Sequence, residues 1–315
     1  MGPTDLPERL AAFNRKSYAL KPYNADTYGF AGEGRACPYR LAVSPYVGCN
    51  VQCRPCPVWS ERGAARPKEN FRTALVHDIE RAKGLGLGGF LTMLSPSTEP
   101  FDPLLERQHR HSGFALEQLL GNGFPVLVMT RYPAVLRDPA YAASLDDPRL
   151  FIDVSIPSLH QNDPGSFFFS RRLPPLEEDF AAMRGLADRG KHVRVKVEPV
   201  VPTVGAIRGQ TAEELDEIVH RSQGAGARGI ISKTMRLNSD VPRRVYHELI
   251  DYYEAHGSLV GINRILLPGE RRRLLLPVLE ACKRYGIPFS GCVDADTFEG
   301  DESLRCFAPG ESDPG

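Results

Sequence analysis

With 315 residues, 42% of them hydrophobic, the chain can bury a substantial core as one large domain or two small ones. Its 39 basic and 39 acidic residues balance, so no global field draws it toward nucleic acid or anionic membranes. Seven cysteines, an odd number, fit a reducing compartment better than a disulfide framework. The charged stretch from Met1 to Tyr18 has no apolar leader core, and no run of about 18 apolar residues offers a membrane span. A cytoplasmic protein is expected.

Residues 1–40 read as an N-terminal extension, 41–238 as the core, and 239–315 as a C-terminal extension of helix, strand and tail. Leu41–Ser44 opens the core as a short buried strand. The amphipathic stretch Phe71–Ala82 follows, then strand Gly89–Leu94, helix Leu104–Leu120, strand Pro125–Thr130 and helix Ala134–Leu145. Strand Leu150–Ile156, helix Leu176–Asp188, strand Val193–Val201, helix Ala212–Gln223 and strand Gly229–Lys233 complete the alternation. Thr211 with Glu214 makes a capping box, and Gly190 and Gly224 stand where helix C-caps belong. Six strands with helical crossovers predict an α/β fold, a parallel sheet covered by helices with its chemistry at the carboxyl edge. Beyond the core, Arg272–Tyr285 reads as a helix and Phe289–Asp294 as a short strand and its exit. A tail rich in Gly, Asp, Ser and Pro follows Phe307.

The loop after the first strand carries Cys49, Cys53 and Cys56, a C-x3-C-x2-C spacing. Composition alone would produce such a triplet on the order of 0.003 times per chain. Thiolates this close together converge on one inorganic centre. Iron–sulfur cubes take four cysteines as a rule, so three leave one iron open to a non-protein ligand. Structural zinc needs four ligands, commonly two tight pairs; Cys37 or a distant histidine would have to complete that alternative.

The triplet resembles that of the radical S-adenosylmethionine (SAM) superfamily. The resemblance implies a [4Fe–4S] cluster whose open iron is chelated by SAM. Reductive cleavage then gives a 5′-deoxyadenosyl radical that abstracts hydrogen from substrate. The residue before the third cysteine is usually aromatic in that family and is Pro55 here, with Tyr46 or Trp59 as substitutes for packing adenine. The alternation of elements suits the family's partial (β/α)6 barrel, with N-terminal and C-terminal extensions.

A closer resemblance spans roughly Leu41 to Leu237. Ser95-Pro96-Ser97-Thr98-Glu99-Pro100, Met129-Thr130-Arg131 and Val154-Ser155-Ile156-Pro157-Ser158 are similar to strand-end segments of the spore photoproduct lyase subgroup. The resemblance implies that Thr98, Arg131 and Ser155 contact SAM, and Glu99 lies beside Thr98. A guanidinium at Arg131 suits the methionine carboxylate, the hydroxyls suit its amino group or ribose, and Glu99 offers charge to the cationic end. True lyases carry a hydrogen-donating cysteine two residues before Thr98. Pro96 stands there in this chain, and a shift by one brings only Ser95.

Of the remaining cysteines, Cys282 suits a buried helix position. Cys292 and Cys306 are candidate hydrogen donors or ligands of an auxiliary cluster. Glu198 lies inside an otherwise buried strand, a costly place unless paired or functional; a substrate or SAM contact is weighed against a salt bridge to Lys196 or Arg194. His109-Arg110-His111 reads as a solvated face, and Arg271-Arg272-Arg273 as surface charge or, more weakly, an anion site.

These observations predict a radical SAM enzyme acting on a small molecule, such as a nucleoside, sugar or nucleotide-linked metabolite, with a flavodoxin- or ferredoxin-type electron donor. No membrane or nucleic-acid partner is expected. The alternatives are a nucleic-acid lesion enzyme of spore photoproduct lyase type and a non-catalytic iron–sulfur or zinc protein.

Overall fold

The computed structural model describes residues 6–23, 41–56, 64–238, 243–261 and 263–298. Cys37, Trp59, Cys306 and the tail after Phe307 lie outside the described residues. Helix α1 (Leu6–Asn14) leads into β1 (Leu20–Pro22), and β2 (Leu41–Val43) opens the core. The cysteine loop lies between the two strands of a small ribbon, Tyr46–Val47 and Arg66–Pro67. There follow α2 (Phe71–Gly84), β3 (Thr92–Leu94), α3 (Pro103–His109), α4 (His111–Gly121), β4 (Val126–Thr130), α5 (Ala142–Asp146) and β5 (Leu150–Ser155). Then come α6 (Leu176–Asp188), β6 (His192–Val200), α7 (Ala212–Gly224), β7 (Ile230–Thr234), α8 (Arg243–His256), α9 (Pro268–Tyr285) and β8 (Phe289–Ser290).

The eight strands β1 to β8 form one sheet in sequential order. All neighbours from β2 onward run parallel, and only β1 is antiparallel. The six strands read from the sequence are therefore extended by two. Residues of the N-terminal extension supply the antiparallel edge, and residues of the C-terminal extension supply a seventh parallel strand. A separate three-stranded sheet places Asn263–Leu266 between Leu237–Asn238 and Gly257–Val260. Among the described residues no helix is long and apolar enough to cross a membrane.

Side chains alternate across each strand, so the register assigns two faces. Val126, Val128, Ile152, Val154, Val193, Val195, Val197 and Ile230 share one apolar cluster with residues of the covering helices. The opposite, concave face is apolar at Met93 and Leu127, then turns polar along β5 to β7. There Asp153 and Arg194 are register partners and form a two-pronged ion pair, at 2.8 and 3.1 Å, each 1% exposed. Such charges tolerate burial only when paired and bonded together.

Two helices differ from the sequence reading. Leu104–Leu120 is broken at Arg110, which takes a left-handed φ of 47°. The break has a local cause. The Glu106 carboxylate, from the first helix, caps the next, accepting from Ser112 N at 2.8 Å and Gly113 N at 3.2 Å. Ala134–Leu145 resolves into two 3-10 turns, Pro133–Arg137 and Pro139–Tyr141, before α5. Pro139 offers no N–H to a continuous helix.

The capping box at α7 is half formed. Thr211 Oγ1 accepts from Glu214 N at 3.1 Å, while the Glu214 carboxylate accepts instead from Leu159 N at 2.9 Å and the Ser158 hydroxyl. Those bonds anchor the exit of β5 to α7. The turn after α7 uses Gly226, with φ of 82°, and not Gly224. Arg271, read as surface charge, is buried and pairs with Asp294 and Asp296, each at 3.0 Å. Arg273 pairs with Glu270 on the surface. Cys282 is buried in α9 as expected.

Candidate active site

Parallel strands bring their exit loops to one edge, and the sequence-predicted residues lie on those loops or just below them. Cys49, Cys53 and Cys56 are each half-buried on the loop after β2. Gly48, with φ of 80°, permits the turn into the loop, and Cys56 N donates to Cys53 O at 3.0 Å. Cys49 and Cys53 pack against the main core. Burial pushes the Cys49 thiol up, against the amides of Val51 and Glu99 that point at its sulfur.

Neighbouring segments hold this loop from several sides. Asn50 Nδ2 donates to Asp102 Oδ2 at 2.9 Å, while Asp102 Oδ1 caps α3 through Leu104 N and Leu105 N. Asn50 Oδ1 accepts from Ala65 N at 3.0 Å. From the long connection after β5, Phe169 O accepts from Arg54 N at 3.3 Å and Ser166 O accepts from Arg54 Nη1 at 2.9 Å. The Ser170 hydroxyl donates to Val51 O, and the Tyr246 hydroxyl donates to Arg54 O.

Glu99 is buried beneath the loop. Its Oε1 accepts from Thr130 Oγ1 at 2.6 Å and Phe101 N at 2.9 Å, and its Oε2 accepts from Arg131 N at 2.7 Å. Burial pushes its carboxyl up to about 7, against these hydrogen bonds and the charge of Arg131. Glu99 thus fastens the exits of β3 and β4 together. The Arg131 guanidinium projects toward the cysteines, with Nη1 2.8 Å from Cys53 Sγ and Nη2 donating to Gln161 Oε1 at 2.6 Å. Arg131 Nε, Thr98 Oγ1 and Ser95 Oγ are buried with no hydrogen-bond partner.

Tyr46, considered for adenine packing, is 1% exposed and committed elsewhere. Its hydroxyl donates to Glu106, which also accepts from Tyr141 at 2.7 Å, and its ring stacks on His111 at 5.9 Å. His111 is accordingly half-buried, and not on a solvated face; burial lowers its pKa.

A second group lies on the concave face. Glu198 Oε2 sits 3.1 Å from Lys196 Nζ and 3.2 Å from Lys233 Nζ, while Glu198 Oε1 is buried without a partner. The salt bridge to Lys196 weighed from the sequence is present, with Lys233 added. Burial opposes ionisation of Glu198, and the two ammonium groups overcome it, holding the carboxyl below its ordinary range. Glu198 in turn holds Lys233 above its ordinary range, and Cys292 adds to that shift. Cys292 begins the turn after β8 with φ of 49° and is half-buried. Ser155, at the end of β5, shares this face through its register with Lys196 and is half-buried.

The structure therefore forms two groups. Cys49, Cys53, Cys56, Thr98, Glu99 and Arg131 surround the cysteine loop; Ser155, Lys196, Glu198, Lys233 and Cys292 line the concave wall. Sequence reasoning missed Gln161, which supports Arg131, and Lys233. The period-two run Arg194, Lys196, Glu198 between valines was a legible sign of a charged lumen wall.

The cysteine loop fits an iron–sulfur cube by its donor chemistry. Among the described residues no three His, Cys, Asp or Glu donors converge on one metal-sized point. Thiolates of a cube bind different irons and need only face a common space. The unpartnered Thr98 hydroxyl and Arg131 Nε add polar groups suited to a ligand beside them.

No protein-family model matches the chain, and no curated protein matches it. Solved structures do. Spore photoproduct lyase complexed with dinucleoside spore photoproduct superposes with a TM-score of 0.61 at 15% identity, over 90% of this chain and 84% of that one. A double mutant of that lyase with bound AdoMet and the dinucleoside gives 0.59 at 14%, with the same coverage. SuiB from Streptococcus suis gives 0.53 at 13%, over 82% of this chain and 50% of that one. At such identities the likeness is one of architecture: this chain has the fold of spore photoproduct lyase.

Proposed function

We propose that this chain is a radical SAM enzyme acting on a small molecule. The observation that carries the reading is the three-cysteine loop set beside Arg131 on this fold. Cys49, Cys53 and Cys56 would hold a [4Fe–4S] cluster, which supplies the electron for reductive cleavage of SAM to a hydrogen-abstracting 5′-deoxyadenosyl radical. Arg131 binds the methionine carboxylate, and Thr98 and Ser155 offer hydroxyls to the amino group or ribose. Glu99 fixes the backbone of Arg131 and adds negative charge beneath the site. Residues 41–238 form the catalytic core.

On the concave wall, Glu198 contacts substrate and Cys292 gives its thiol hydrogen to the substrate radical, forming C–H and leaving a thiyl for later reduction. A flavodoxin- or ferredoxin-type protein supplies electrons, and the cytoplasm is the compartment. The substrate belongs among nucleosides, sugars or nucleotide-linked metabolites.

Anaerobic reconstitution with iron and sulfide tests the reading. Wild type is expected to take up four irons and to release 5′-deoxyadenosine from SAM under dithionite. Alanine at Cys49, Cys53 or Cys56 should abolish both. A triple variant that still makes 5′-deoxyadenosine overturns the proposal.

A further inference from the structure

The concave wall carries more positive charge than its own carboxylates neutralise. Arg194 is matched by Asp153 in a closed pair. Lys196 and Lys233 share the single carboxylate of Glu198, on the same oxygen. The side chains of Lys196 and Glu198 are 11% and 8% exposed, whereas that of Lys233 is 35% exposed and reaches open space. An ammonium has three donors and Glu198 Oε2 can occupy only one from each lysine. Glu198 Oε1, buried and without a partner, is an acceptor awaiting a donor.

We infer that Lys196, Glu198 and Lys233 form the binding pole for an oxyanion of the substrate, flanked on that substrate by a hydroxyl or amino donor. The lysines take the oxyanion, and Glu198 Oε1 takes the neighbouring O–H or N–H. Cys292, on the turn after β8, is near enough to this group for charge on its sulfur to bear on both lysines. The substrate class is thereby narrowed to small acids or phosphate esters bearing a donor next to the charge. The inference rests on the reading of the concave face as a substrate chamber.

Calorimetry on reconstituted, SAM-saturated protein tests it with ribose 5-phosphate, D-gluconate and neutral ribose. One of the two anionic probes is expected to bind and ribose to fail; which one binds separates phosphate from carboxylate. Lys233→Gln and Lys196→Gln should each weaken that binding by about tenfold or more, and Lys233→Arg should retain part. SAM affinity should stay unchanged in all three.

Lys196→Gln, being buried, can fail to fold, so a second measurement is needed. Glu198→Gln leaves two ammonium groups without their anion, and inorganic phosphate should raise its Tm more than that of wild type. Equal shifts, no anionic binding, or binding indifferent to the lysines each overturn the inference. A protein that cleaves SAM yet ignores these anions refutes only the oxyanion pole. One that binds them but takes up no iron refutes only the radical reading.

Discussion

Arg131 and Asp179 are joined through one amide. Gln161, fully buried, accepts from Arg131 Nη2 at 2.6 Å and donates to Asp179 Oδ2 at 3.2 Å. The guanidinium is therefore aimed from behind by a side chain on the connection after β5, and that side chain is fixed by the first turn of α6. Pre-aiming matters because an arginine ordered before ligand arrives loses less entropy on binding.

Removal of that guanidinium should be read directly in SAM affinity. Arg131→Ala is expected to weaken binding by about 1.5–3 kcal/mol, the range for a charge-assisted hydrogen bond. Arg131→Lys should recover only part, since an ammonium cannot reproduce the planar fork. Gln161→Leu should fall between wild type and Arg131→Ala. Calorimetry with the reconstituted protein measures all three, and unchanged affinity in Arg131→Ala would remove Arg131 from the SAM site.

Asp179 gives the fold a pH dependence. Burial pushes its carboxyl up to about 7, against the charge of Arg131 and the hydrogen bond from Gln161. Between an unfolded value of about 3.9 and that folded value, the folded state holds more protons than the unfolded chain. Stability attributable to this group therefore falls as pH rises through the window and is level above it. Asp179→Asn cannot titrate, so it should gain about 2–3 kcal/mol on wild type between pH 5 and pH 8. Denaturant melts at the two pH values check this, and parallel behaviour of the two proteins would refute it.

The parts legible in the sequence are those where one local pattern acts alone. Leu176–Asp188 has the same limits in the reading and in the structure, because its apolar face and acidic first turn agree. The parallel strands were legible as apolar runs. The break at Arg110 was not, because its cause is Glu106 capping a second helix while holding Tyr46 and Tyr141 from distant segments. Lys233 was passed over for the same reason. Its partner, Glu198, lies on a neighbouring strand, and strand register is a tertiary fact. Gln161 lies in an irregular connection with no period to mark it.

Asn50 and Asp102 couple the cysteine loop to a helix start. Asp102→Ala removes the cap of α3 and should cost about 0.5–2 kcal/mol of stability. Asn50→Ala leaves that cap intact and should cost less. Both variants should release iron to a chelator faster than wild type, because each frees the loop from the bond between Asn50 and Asp102. If iron release follows global stability alone and Asn50→Ala behaves as wild type, the coupling does not reach the metal.

The shared fold does not carry the lyase reaction with it, and this chain is expected not to repair spore photoproduct. The hydrogen-donating cysteine implied by the family pattern is replaced by Pro96, which has no transferable hydrogen of that kind. Ser95, one residue before, is buried with a stronger O–H bond, and its hydroxyl has no partner. The balanced charge of the chain supplies no general attraction for phosphates along a duplex. Cys292 is the candidate thiol among the described residues, yet it lies on the turn after β8 and not at the exit of β3. Dinucleoside spore photoproduct incubated with reduced enzyme and SAM should therefore yield 5′-deoxyadenosine without intact thymine, as followed by chromatography. Multiple turnovers to thymine would restore the lesion-repair reading, and their loss in Cys292→Ala would name the donor. Thymine made equally well by that variant would locate the donor elsewhere and remove Cys292 from the chemistry.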